Sequence, residues 1–133
     1  MKVSDVAQAL RVPVGAVFLE RADLSSTLLY RNEHSWAGTQ GVAAYIILGD
    51  GATVALDAGG WYSHNGTITQ QDPPVPLAVA LRRCGAQEGD LVAVRAWDAL
   101  DGDGARPVVR VFRLTAEDMA AVMAAEDPAE VEV

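Results

Sequence analysis

The sequence predicts a mainly β domain: a small Greek-key β-barrel with one helix between strands three and four and a C-terminal helix. Three observations predict it. Gly41–Trp61 alternates with period two on both sides of Gly49-Asp50-Gly51, as the arms of a hairpin do. The other apolar runs are short and bounded by Gly, Pro and Asp. With two early strands merged into one bent strand, the order is strand, strand, strand, helix, strand, strand; kept separate, they give a different small barrel or roll of six strands. A chain of 133 residues, half of them hydrophobic, is long enough for one domain with a real core.

Ser4–Leu10 reads as a short helix, with Ser4 as cap and Val6, Ala9 and Leu10 on one face. Ala16–Arg21 and Thr27–Arg31 read as short strands around the turn at Ala22–Ser26. Asn32–Gln40 is a polar loop. In the hairpin, Val42, Ala44, Ile46 and Leu48 share the buried face with Val54 and Leu56, and Ala43, Tyr45 and Ile47 lie opposite. Gly59–Pro76 is expected to be a long irregular connection. Leu77–Cys84 is a helix stopped by Gly85, with Arg82 and Arg83 near its C-terminus, where cations suit the dipole. Leu91–Trp97 and Pro107–Leu114 are strands joined by Asp98–Arg106. Thr115 caps a last helix that runs to about Ala125, and Asp127-Pro128 breaks it. The expected organisation is one domain over residues 1–125 and an acidic tail over 126–133.

The net charge of −8 is unevenly placed. From Thr115 onward there are six acids and no Lys or Arg, so residues 1–114, with twelve acids and ten bases, carry only −2. Such a balance opposes DNA binding through bulk charge, less strongly once the tail is set aside. No run of about 18 apolar residues suggests a membrane span, and the N-terminus has no signal-peptide pattern. The single cysteine, Cys84, fits a reducing cytoplasmic setting. Nine of the ten basic residues are Arg, a bias pointing to a GC-rich bacterial or phage genome and hence to a bacterial host cell.

The stretch VPVGAVFLERADLSSTLLYRNEHSWAG resembles the β segments that open many short phage proteins, and the element order over Val14–Leu114 resembles the OB-fold. Gly89-Asp90 before a β-branched strand is similar to the entry to the fourth OB strand. The acidic segment Glu126–Val133 resembles the tails of bacterial and phage single-stranded-DNA-binding proteins, without the terminal Pro-Phe of the bacterial ones; taken alone, it is better accounted for as an ordinary frayed terminus. The OB resemblance implies a nucleic-acid face with Arg31, His34 and Trp36, then Tyr45, then Arg95 and Trp97. Aromatic planes stack on bases and Arg meets phosphate. Arg95 and Trp97 share a parity opposite to Val92 and Val94; the competing account has Trp97 capping the barrel. Trp61 and Tyr62, with His64 nearby, form a second stacking group, unless Trp61 packs over the barrel end.

No catalytic signature is present: no Walker motif, dinucleotide fingerprint or nucleophile elbow. Asp98, Asp101 and Asp103 do not fit calcium-loop spacing. Two His and one Cys make a poor zinc set, and Cys84 reads as a small buried hydrophobe. The expectation is a non-enzymatic protein without cofactor that binds single-stranded DNA. The alternative is a phage-encoded protein–protein interaction module, either an inhibitor of a host protein or a virion or assembly component. A homo-oligomer is compatible with both.

Overall fold

The computed structural model describes residues 1–32, 42–56, 59–62, 75–98 and 106–127. The strands are β1 (Val17–Phe18), β2 (Leu28–Asn32), β3 (Val42–Ile47), β4 (Thr53–Ala55), β5 (Gly59–Tyr62), β6 (Val75–Pro76), β7 (Leu91–Asp98) and β8 (Arg106–Arg113). The helices are α1 (Val3–Leu10), α2 (Leu77–Arg83) and α3 (Ala116–Ala124). A mixed five-stranded sheet runs in the order β1-β8-β7-β3-β4, and a small three-stranded sheet runs β5-β2-β6.

This arrangement overturns both the mainly β reading and the OB-like barrel, since the described residues include three α-helices beside the two sheets. The two early strands do not merge: β1 lies parallel to β8 in the large sheet, and β2 sits in the small one. The large sheet ends in β1 on one side and β4 on the other, and among the described residues it does not close on itself. The reason lies in where the apolar surface falls. A barrel strand buries one face, but here both faces of the sheet are covered. One face carries Ala44, Ile46, Val92, Val94 and Phe112 into a core shared with α2, Leu29 of β2 and Val122 of α3. The other carries Val17 of β1, Ile47, Ala93, Val109 and Val111 against Val6, Ala7 and Leu10 of α1. A sheet buried on both faces loses its polar alternation and reads as a near-continuous apolar strand.

The hairpin forms as its sequence dictates. β3 and β4 pair Tyr45 with Ala55, Ile46 with Val54 and Ile47 with Thr53. Gly51 takes φ +88°, a value that strains any residue with a Cβ, and the Asp50 Oδ1 accepts from the Ala52 N–H at 2.9 Å. Burial corrects the expected faces. Ile47 is buried because α1 covers its side, whereas Leu48 lies past the end of the strand and Val54 on an edge strand, 43% and 42% exposed. The connection after the hairpin is not irregular throughout, since β5 and β6 occupy its two ends.

The helix ends follow local rules. In α1, Asp5 Oδ2 accepts from the Lys2 N–H at 2.7 Å, and Arg11 ends the helix in the left-handed region at φ +56°. Cys84 closes α2 and Gly85 turns the chain at φ +73°, with the Ala86 N–H donating to the Leu81 carbonyl. In α3 the Thr115 hydroxyl accepts from the Asp118 N–H, and the Asp118 carboxylate accepts from the Thr115 N–H, a reciprocal box. No described helix is long and apolar enough to cross a membrane.

Candidate interaction surfaces

The sheet register brings part of the expected aromatic and Arg set together. Tyr45 pairs with Ala93 and Ala43 with Arg95, so Tyr45 and Arg95 are diagonal neighbours on the α1 side of the sheet. That face is not an open platform. Tyr45 packs at the margin of the α1 core, and both Tyr45 and Arg95 are half-buried. Position 97 continues β7 opposite Pro107. On the small sheet, Arg31 of β2 pairs with Trp61 of β5, and Asn32 with Tyr62. β2 also runs beside β3. His34 and Trp36 lie outside the described residues, as do His64, Asp101 and Asp103.

Sequence reasoning missed the surface beside β1. Val14, Phe18 and Leu19 are 55%, 48% and 76% exposed. The first strand was expected to lie inside a barrel, but it is a two-residue edge whose outer side pairs with nothing among the described residues. Next to it, a groove of about 330 Å³ runs between α1 and β8, lined by Val3, Val6, Leu19 and Val111 and by Lys2, Glu20, Arg21 and Arg113. A larger groove of about 720 Å³ lies at the hairpin end of the sheet, where Asp5, Asp50 and Asp90 gather with Gln8 and Arg113. Among the described residues no cluster of His, Cys, Asp and Glu is arranged to hold a metal ion.

The titratable groups are built into structure. Burial pushes the Asp118 carboxyl up, but the Thr115 N–H, the Arg21 guanidinium and the Thr115 hydroxyl outweigh it and hold Asp118 below the usual carboxylate range. Arg21 also lies over the Phe112 ring, 5.0 Å from its centre, and donates to the Arg113 carbonyl. The Asp23 carboxylate accepts from the Ser26 and Ser25 N–H groups and the Ser25 hydroxyl, which lowers it to about 2. Cys84 is exposed, contrary to the expected buried position, because the helix ends there and its side chain lies past the core face. Partial burial of the thiol raises it above the ordinary value, and Sγ donates to the Leu81 carbonyl at 3.2 Å. A thiol raised in this way is a poor nucleophile at neutral pH.

The C-terminal segment also departs from a free acidic tail at its start. Asp127 is 5% exposed and is gripped by both ends of the Arg83 fork, Nε to Oδ2 and Nη2 to Oδ1, each at 2.6 Å. Arg82 Nη1 donates to the Ala125 carbonyl at 2.7 Å. The only sequence signal for these contacts was the position of two Arg at the end of a helix. Against known proteins, no family, no curated protein and no solved structure matches this chain.

Proposed function

We propose that this chain is a non-catalytic protein-binding module whose contact surface centres on the β1 edge. One observation carries the reading: three large apolar side chains, Val14, Phe18 and Leu19, stand exposed within six residues, one on the edge strand β1 and two beside it. Exposed apolar side chains grouped along the chain mark interaction sites, and an uncovered edge offers backbone groups to an added strand. The net charge of −8 suits a protein partner better than a polyanion. The test is affinity capture from a bacterial lysate with the wild-type chain and with a Phe18→Ser/Leu19→Ser variant, both checked for an unchanged circular dichroism spectrum. A protein retained by the wild type and lost by the variant supports the proposal. Equal retention by both, or none by either, refutes it.

A second reading, single-stranded nucleic acid, draws support from the register of Arg31 with Trp61 and Asn32 with Tyr62 on adjacent strands. Against it stand the acidic charge and the half-buried Tyr45 and Arg95. Titration with poly-dT at low salt, followed by Trp fluorescence, decides it. Under this reading Arg31→Ala reduces the salt slope of binding by about one, and absence of quenching in the wild type ends it.

A further inference from the structure

We infer that α3 together with residues 125–127 is a clasp, a unit that opens from the rest of the domain while the five-stranded sheet stays folded. Its attachment is of a different kind from the attachment of other elements. Among the described residues no strand pairing involves a residue after Arg113, so releasing the unit breaks no described ladder. The helix is nine residues long, too short to persist alone in water. Of its apolar side chains Val122 is fully buried and Met119 partly so, while Met123 is 63% exposed. Charge fastens both ends. At the start, Asp118 is held by the Thr115 N–H and by the Arg21 guanidinium reaching from the segment after β1. At the finish, Arg82 holds the Ala125 carbonyl and Arg83 holds the buried Asp127 carboxylate.

Those fastenings act together. Asp118 and Asp127 are the only buried charged residues among those described, and each stays buried only while its Arg is in place. Losing one end leaves a desolvated carboxylate that is stable only in water, so the helix and strap leave together. Opening uncovers the part of the core that Val122, Met119 and Ala125 cover, beside Arg82 and Arg83 on α2. The open state is therefore an apolar, cationic surface that the closed state conceals. This inference stands apart from the proposed β1 interface.

Native-state hydrogen exchange read by mass spectrometry tests it on the full chain. In the wild type, amides of residues 116–127 should exchange at least about tenfold faster than those of 91–98 and 106–113, with a weaker dependence on added denaturant, as sub-global opening requires. Asp127→Asn should speed exchange in 116–127 by about a further tenfold and leave 91–98 and 106–113 unchanged. Arg83→Lys, which keeps the charge but loses the two-pronged grip, should do the same to a smaller extent. Wild-type exchange in 116–127 that matches the sheet in both rate and denaturant dependence overturns the inference, and that arm needs no variant to fold. So does a variant that accelerates helix and sheet equally.

Discussion

The helices α1 and α3 are nearly equal in length and lie on opposite faces of the same sheet, yet they are held by opposite means. α1 buries Val6, Ala7 and Leu10, three residues on one stripe, and its one exposed acid bond is local, from Asp5 back to Lys2. α3 buries one Val and one Asp; it is held by Arg21, and the residues just after it by Arg82 and Arg83, all from distant parts of the chain. An apolar stripe resists loss of charge and fails when its volume is cut. A charged fastening tolerates small changes in volume and fails when one partner is neutralised. The contrast teaches that similar helices on one sheet are separable by which perturbation loosens them.

The sharpest way to break the α1 side is Leu10→Ala. Leu10 is 6% exposed within the α1 core, and such a truncation costs about 2–5 kcal/mol. Urea unfolding should report the loss through a lower midpoint, with no selective effect on α3. Thr115→Ala attacks the other side. It removes the hydroxyl that accepts from the Asp118 N–H, a cap worth about 1 kcal/mol, and the exchange of 116–127 should change before that of the sheet.

The comparison sharpens further with pH. The Asp118 carboxyl is held below its unfolded value, so its contribution is fully present above the unfolded Asp pKa of about 3.9 and is lost as pH falls through the folded value. The stability gap between wild type and Asp118→Asn, measured by thermal unfolding, should be constant above about pH 5 and narrow below about pH 4. Leu10→Ala should show no such narrowing. The smallest effect belongs to Glu20→Gln. The Glu20–Arg110 pair spans 3.5 Å with both side chains about half or more exposed, and such pairs contribute about 0–1 kcal/mol. A shift in midpoint much larger than that would show Glu20 fastening β1 to β8.

Local signals were legible where a single residue sets the backbone. Gly49-Asp50-Gly51 announced the hairpin, Gly85 the end of α2, and Thr115 the start of α3; each was found where expected. β7 and β8 were legible from their β-branched runs. The architecture was not, because parity cannot reveal that a distant helix covers the second face. Ile47 and Ala93 have the parity of an outward face and are buried by α1. The same fact blurred the candidate site: Tyr45 and Arg95 do share a face, but the helix covers part of it. Phe18 and Leu19 were placed in a barrel strand over Ala16–Arg21, whereas β1 ends at Phe18 and both side chains are exposed. The Arg83–Asp127 contact joins residues 44 apart, and no local pattern records it.

The parallel pairing of β1 with β8 has a consequence for biosynthesis. Val17 finds its partner in Val109, roughly ninety residues later in the chain. At ribosomal speeds that interval lasts on the order of ten seconds. Throughout it, the α1 stripe lacks part of its seat, because Val109 and Val111 of β8 are made after Ile47 and Ala93. The nascent chain therefore leaves Val6, Leu10 and Val17 incompletely covered until β8 has been made, and these are residues that a holding chaperone would meet.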